Sequence, residues 1–163
     1  MSVPFVIRRI EAETPELARL IQLSESYMGA LYPAESNHFE DVQALLGPKG
    51  WMLGVWVDAR LIACGAVKIM DDDGHYGEVK RVFVLDEHRG KGISKAIMQA
   101  LEDHLRAKGV MLARLETGIK QPEAIGLYRR LGYLERGPFG GYRADPLSLF
   151  MEKRLASLET GVG

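Results

Sequence analysis

The segment from residue 78 to residue 108 constrains the fold most, because a strand pattern runs directly into a glycine-rich turn and then into a helix pattern. Residues 78–85 are rich in β-branched and aromatic side chains, which is typical of a strand. Apolar residues recur at i, i+3, i+4 and i+7 through residues 93–105, which predicts a helix with one buried face. A strand, a tight turn and a helix are therefore predicted in direct succession.

The turn between them, residues 86–92, has the chemistry of an anion site. The first turn of a helix leaves backbone N–H groups unpaired and carries the positive end of the helix dipole. Gly90 and Gly92 allow a ligand to approach the backbone closely, and Arg89 and Lys91 add positive charge. The turn is a candidate cradle for a phosphate or pyrophosphate. The alternative is an ordinary strand-to-helix turn whose cations are solvated.

The spacing of this turn resembles a signature of the GNAT superfamily of N-acetyltransferases. Residues 89–94 (RGKGIS) are similar to Arg/Gln-x-x-Gly-x-Gly/Ala, which in that family binds the pyrophosphate of acetyl-coenzyme A; Ser94 stands where Gly or Ala is usual. Glu78 lies eleven residues before Arg89, where many members carry a strand glutamate that acts as general base. Residues 121–133 (QPEAIGLYRRLGY) resemble the family's Asn-x-x-Ala-x-x-Leu-Tyr-x-x-x-Gly-Phe segment.

The order of elements predicts a mixed α/β (α+β) domain. Strands are expected at residues 4–10, 51–57, 61–70, 78–85, 110–116, 133–136 and 147–154. Helices are expected from Pro15 to about Tyr32, at 39–46 with Asn37 or His38 near its start, and at 93–108 and 122–131. The resemblance implies a single domain over residues 1–155, with a central mixed, mostly antiparallel sheet that splays beside the Glu78 strand. About four helices flank that sheet, and residues 156–163 are a flexible tail.

Composition narrows the class of partner. A chain of 163 residues can bury about 70% of its unfolded surface without disulfides. The net charge of −1 predicts no broad basic field for nucleic acid or membrane and favours a small-molecule partner. Cys64 is the only cysteine, and its apolar surroundings in sequence predict a buried, inert thiol. No N-terminal apolar run is long enough for a span, so cytoplasmic residence is the expectation.

Two residues are candidates for acid–base chemistry. An amine attacks a thioester only in its neutral form, so a general base is useful, and Glu78 is the candidate. Lys80 is expected on the same strand face as Glu78, where its charge favours the ionised carboxylate. The same alternation places Val82 and Val84 on the Glu78 face, and it places Val79, Arg81 and Phe83 on the opposite face. Tyr128 matches the family's tyrosine, which implies a proton donor to the departing thiolate. A surface ion pair for Glu78 and simple packing for Tyr128 are the alternatives.

The resemblance also implies the cofactor contacts. Backbone groups of the Glu78 strand pair with the pantetheine amides, and the turn wraps the pyrophosphate. Gln121 replaces the family's common asparagine, and a role in capping the following helix is the alternative. The expected contact residues are Val82, Phe83, Val84, Arg89, Gly90, Lys91, Gly92, Ile93, Ser94 and Gln121.

The acceptor is predicted to be a small primary amine. Lys80, Arg81 and Arg143 could together clamp a carboxylate, which favours an amino acid or another amine that carries one; solvated cations are the alternative. Tyr27 and Tyr32 are further substrate-binding candidates, and Glu35, His38 and Tyr142 complete the polar and aromatic set.

Other activities and ligands are weighed against this one. The four histidines have no metal-ligand spacing, and Asp71–Asp73 lack the other ligands of a calcium loop, so a solvated turn and no metal are expected. The chain lacks the Walker pattern and a dinucleotide fingerprint. A protein acetyltransferase acting on an N-terminus or lysine and a non-catalytic acetyl-coenzyme A sensor are the alternative functions. A homodimer is possible.

Overall fold

The computed structural model describes residues 4–156 and confirms a mixed α/β fold with a mostly antiparallel sheet. The seven strands are β1 (Val6–Ile10), β2 (Gly50–Val57), β3 (Arg60–Met70), β4 (Tyr76–Val84), β5 (Leu112–Gly118), β6 (Leu134–Arg136) and β7 (Ser148–Arg154). The helices are α1 (Pro15–Leu31), α2 (Val42–Leu46), α3 (Ile93–Ala107) and α4 (Pro122–Arg130). The predicted tail lies outside the described residues from residue 157 onward.

The sheet opens at its centre. Its strand order is β1-β2-β3-β4-β5-β7-β6, and the β4–β5 pair is the parallel one. These two strands pair only at Gly77 with Ala113 and at Glu78 with Arg114. Beyond Glu78, no strand among residues 4–156 pairs with the edge of β4 that faces β5. Apart from the Val84 carbonyl, which accepts from Arg89, the backbone groups on this edge are therefore available to a ligand. The splay predicted beside Glu78 is confirmed.

Most helix ends follow their local signals. Thr14 caps α1 by accepting a hydrogen bond from the Leu17 amide at 3.1 Å, and Pro15 occupies the first turn. The start predicted for α2 is wrong: the helix begins at Val42, where the Asp41 carboxylate accepts from the Gln43 amide at 3.0 Å. The preceding residues 37–41 remain extended and form part of a loop over the open sheet.

A bulge in β4 corrects the predicted strand faces. Cys64 pairs with Phe83 and Ala66 with Lys80, so Arg81 and Val82 both lie opposite Gly65. Arg81 takes a left-handed conformation, with φ of 59°. Because the extra residue inverts the alternation, Val82 packs beside Val79 in the core instead of beside Glu78.

The main core lies between α3 and the sheet. Ile97, Met98, Leu101 and Leu105 have no exposed surface and pack on β2 to β5. A second apolar cluster fills the space between α1, α2 and the opposite sheet face. Within residues 4–156 no helix has both the length and the apolar character needed to cross a bilayer.

The turn at Asp71–Asp73 is exposed, as predicted, and it also makes hydrogen bonds to other parts of the chain. Asp72 accepts a hydrogen bond from the Tyr76 hydroxyl at 2.6 Å, and Asp73 accepts one from the Gly140 amide at 3.1 Å. The turn therefore supports the loop that joins β6 to β7. Within the described part of the chain, no three His, Cys, Asp or Glu side chains are grouped to hold a metal ion.

Cys64 is expected to resist thiol reagents in the folded protein. Its side chain is fully buried, its Sγ donates to the Arg81 carbonyl, and burial raises its pKa to about 12. Because the thiolate is the reactive form, a disulfide reagent should report no thiol in native protein and one after denaturation. Rapid labelling without denaturant would contradict this placement.

Candidate active site

A cavity of about 830 Å³ occupies the gap between β4 and β5. Its walls come from β4, β5, the end of α1, the loop before α2, and the first turns of α3 and α4. The cavity therefore joins the glycine-rich turn to the open centre of the sheet. Of the predicted site residues, Glu35, Lys91 and Arg143 are exposed and outside this lining, whereas the others contribute to it.

The glycine-rich turn has the geometry of an anion cradle. Gly90 and Gly92 have φ of 76° and 78°, a conformation that glycine adopts without strain. Gly92 is the N-cap residue of α3 and supplies no side-chain cap, so the amides of the first helical turn remain open to a ligand. A Cβ at either glycine would meet no atom within 4 Å. The open space there can accept a phosphate group.

The Arg89 side chain contacts both β4 and α1. Its Nε donates to the Val84 carbonyl at 3.0 Å, and its guanidinium carbon lies 4.6 Å from the centre of the Tyr27 ring. The Val84 carbonyl is therefore occupied by Arg89. Tyr27, predicted to bind the acceptor, lies beside Arg89 at the glycine-rich turn.

Glu78 lies where β4 and β5 part, with 6% of its surface exposed. Lys80 Nζ lies 3.3 Å from Glu78 Oε2, and the Tyr142 hydroxyl donates to the same oxygen. Lys80 also donates to Tyr142 Oη at 2.9 Å. The predicted proximity of Glu78 and Lys80 is present, and Tyr142 completes a three-membered cluster.

Tyr128 faces the same cavity from α4. It is 8% exposed, and its hydroxyl makes no hydrogen bond with any residue between 4 and 156. Burial, reinforced by the nearby Glu116 carboxylate, raises its pKa to about 12. The phenol therefore keeps its proton at neutral pH and has it available for a ligand group.

Glu116 is a cavity carboxylate that the sequence reasoning missed. It lies on β5 and accepts a hydrogen bond from the Ser148 hydroxyl at 2.7 Å. Burial raises its pKa, whereas Ser148 acts in the opposite direction. A single glutamate at the end of a strand pattern carries no sequence signal that separates it from an exposed one.

The predicted carboxylate clamp is not assembled. Lys80 is engaged by Glu78 and Tyr142, and Arg81 donates to Glu25 at 2.8 Å and to the Glu40 carbonyl at 2.9 Å. Arg143 is exposed and lies outside the cavity lining. Arg81 nevertheless has one buried guanidinium nitrogen, Nη1, without a hydrogen-bond partner in the described part of the chain.

The Tyr32 side chain links the end of α1 to the start of α4. The Tyr32 hydroxyl accepts from the Lys120 amide at 3.0 Å and lies 3.4 Å from Gln121 Oε1, to which it donates. Gln121 occupies the N-cap position of α4, but its side chain makes no capping bond. Both hydrogen bonds of the Tyr32 hydroxyl are thus used to hold the end of α1 against the start of α4.

Comparisons with known proteins agree with this geometry. The model of the acetyltransferase (GNAT) family matches residues 17–133. An IAA acetyltransferase of Azospirillum brasilense is 46% identical over 149 residues, which cover 90% of this chain and 97% of that protein. The uncharacterized N-acetyltransferase YsnE of Bacillus subtilis is 32% identical over 78% of this chain and 85% of its own length.

A solved structure gives the same result. A Klebsiella pneumoniae protein described as an acyl-CoA N-acyltransferase has a TM-score of 0.77 and 32% identity, covering 93% of this chain and 98% of that chain. The gap between β4 and β5 holds the acid and base candidates and adjoins the open glycine-rich turn. The chain belongs to the GNAT family of acetyltransferases and is an acyltransferase.

Proposed function

We propose that this enzyme transfers the acetyl group of acetyl-coenzyme A to the primary amine of a small molecule, by direct transfer in a ternary complex. The observation that carries the proposal is one continuous cavity, which runs from the cradle at Gly90 and Gly92 to Glu78 and Tyr128. The diphosphate would bind the open amides of α3, and the pantetheine arm would add to the unpaired edge of β4.

Each chemical step then has a group in place. Glu78 accepts the proton that the acceptor ammonium or the attacking nitrogen gives up. The nitrogen forms a bond to the acetyl carbon, and the carbon–sulfur bond breaks. Tyr128 donates its proton to the departing thiolate, which leaves as coenzyme A.

The loops that enclose the Glu78 end of the cavity favour a small acceptor. Ser36, in the loop before α2, donates to Asp145 at 2.7 Å and joins that loop to the one between β6 and β7. This link narrows access for an extended peptide. The IAA acetyltransferase relative supports a small-molecule acceptor as well. Of the cations considered for a carboxylate, Arg81 lines the cavity and has one guanidinium nitrogen without a partner among the described residues.

The test is release of coenzyme A thiol from acetyl-coenzyme A with panels of amino acids, amines without a carboxylate, and peptides. We expect turnover with members of the small-amine panels, with mass spectrometry showing an N-acetylated product. Turnover with peptides alone would assign a protein acetyltransferase. Binding of acetyl-coenzyme A without turnover on any panel would assign a sensor.

Replacing Gly92 with alanine is expected to weaken coenzyme A binding about tenfold. The left-handed conformation costs a non-glycine residue roughly 1–2 kcal/mol, and the methyl group would enter the space assigned to the diphosphate. Isothermal titration calorimetry with coenzyme A gives the Kd. Gly74→Ala is the matched control, because Gly74 has φ of 76° and equally open surroundings but lies in the Asp71–Asp73 turn region. Equal Kd values for the two variants would refute the cradle.

A further inference from the structure

We propose that Tyr142 is a positioning residue of acetyl transfer, whose hydroxyl fixes one oxygen of Glu78 and directs the other toward the acceptor amine. This inference rests on the proposed function, in which Glu78 is the general base. Tyr142 reaches Glu78 from a distant part of the chain, the loop at residues 137–147 between β6 and β7.

The loop that carries Tyr142 is firmly held. Phe139 is 1% exposed and anchors it in an aromatic cluster with Tyr76 and Phe150. The Gly140 amide donates to Asp73, and the Tyr142 amide donates to the Phe139 carbonyl at 3.1 Å. The backbone at Tyr142 is thus fixed at a set place over β4.

The ring of Tyr142 is equally restricted. Its centroid lies 5.1 Å from that of Phe139 and 5.4 Å from that of Phe150. His38 closes the remaining side with an edge-on contact at 5.3 Å. Such packing holds the ring in one orientation, so the hydroxyl is presented to Glu78 without further ordering when substrate binds.

The hydrogen bonds assign different roles to the two oxygens of Glu78. Tyr142 and Lys80 both engage Oε2. Oε1 accepts no hydrogen bond from any residue between 4 and 156, and Glu78 lines the cavity. Tyr142 has one proton to donate, and it goes to Oε2. The proton leaving the acceptor nitrogen is therefore received by Oε1, while the Tyr142 proton stays on its own oxygen.

Other charged groups surround this pair. Lys80 is on the same strand, Arg114 and Glu116 come from β5, and Glu40 and His38 come from the loop before α2. Tyr76 lies beneath, with its hydroxyl bonded to Asp72. Deleting the Tyr142 hydroxyl removes no charge from this set; Lys80 loses its hydrogen bond to Tyr142 but still has Glu78 as a partner.

The experiment compares Tyr142→Phe with Tyr76→Phe. Both variants remove one buried hydroxyl from the same aromatic cluster, but only Tyr142 touches Glu78. For Tyr142→Phe we expect kcat to fall about ten- to hundredfold, as for the loss of a hydrogen bond to a charged group, with the Kd for acetyl-coenzyme A unchanged. Tyr76→Phe should leave both unchanged.

The outcomes separate this inference from the proposed function. A wild-type kcat in Tyr142→Phe would overturn the positioning role. The stoichiometry of acetyl-coenzyme A binding counts the folded sites, so a fall in kcat per binding site does not depend on how much of the variant is folded. If Glu78→Gln retains wild-type activity, the general-base assignment fails and this inference fails with it. If Glu78→Gln is inactive and Tyr142→Phe is normal, only the inference about Tyr142 is wrong.

Discussion

Replacing Glu78 with glutamine is expected to lower kcat by about a hundred- to ten-thousandfold, the usual contribution of a positioned general base. Glutamine has nearly the same size and can still accept from Tyr142 and Lys80, but it cannot take a proton from the acceptor. The cradle at Gly90 and Gly92 is untouched, so the Kd for acetyl-coenzyme A should remain within about twofold. Steady-state kinetics with a responsive amine and calorimetry with the cofactor measure the two quantities.

Glu116→Gln is the matched control for that substitution. Glu116 lines the same cavity and is also a mostly buried glutamate, but it lies further along the splayed β5 and accepts from Ser148 instead of from Tyr142. We expect its kcat to fall by less than tenfold. The reverse ranking would transfer the role of base to Glu116, whose raised pKa would then suit that task.

The largest stability effect is expected from Glu102→Leu, at about 3 kcal/mol. The Glu102 side chain is 4% exposed and accepts from Tyr133 at 2.9 Å and from Lys153 at 2.7 Å, with Arg106 at 3.6 Å. Leucine would leave two partly buried cations and a phenol without their common acceptor. For a chain of this length, such a loss corresponds to a fall in Tm of roughly 6–12 °C.

Asp103 provides the comparison on the same helix. It contacts the same Arg106 at 3.0 Å, but its side chain is 66% exposed, so Asp103→Asn should cost less than about 1 kcal/mol. Urea unfolding at neutral pH measures both free energies. Adding Lys153→Met to Glu102→Leu should restore part of the loss, because replacing both partners removes the stranded charge. A single-variant loss below 1 kcal/mol would contradict the assigned importance of this cluster.

The sequence predicted those features that are set by local interactions. The helix start at Pro15 and the turn at Gly90 and Gly92 depend on residues within a few positions of each other. The splay beside Glu78 was available through the family resemblance and not through strand composition. Local signals and a spaced motif together therefore predicted the sheet correctly. The cofactor turn and the two acid–base candidates stay predictions, and the structure places them around one cavity.

The arrangement of side chains around Glu78 depends on long-range contacts that no local sequence pattern encodes. Arg81 has the composition of an ordinary strand residue, yet the bulge opposite Gly65 turns it toward Glu25 and the Glu40 carbonyl. Tyr142 approaches Glu78 from a loop whose conformation depends on Asp73 and on the packing of Phe139. Long-range contacts of this kind decide which cations remain available to a ligand carboxylate. They also leave Arg143 outside the cavity.

The contact between Tyr32 and Gly118 has a consequence for divergence among related chains. A Cβ at residue 118 would lie 2.0 Å from the Tyr32 hydroxyl oxygen, far inside contact distance. Any side chain at position 118 would therefore displace the Tyr32 phenol. The hydrogen bonds that link α1 to the start of α4 would then be lost. Substitutions at these two positions should occur together during evolution, since either a compact residue replaces the tyrosine or the glycine stays.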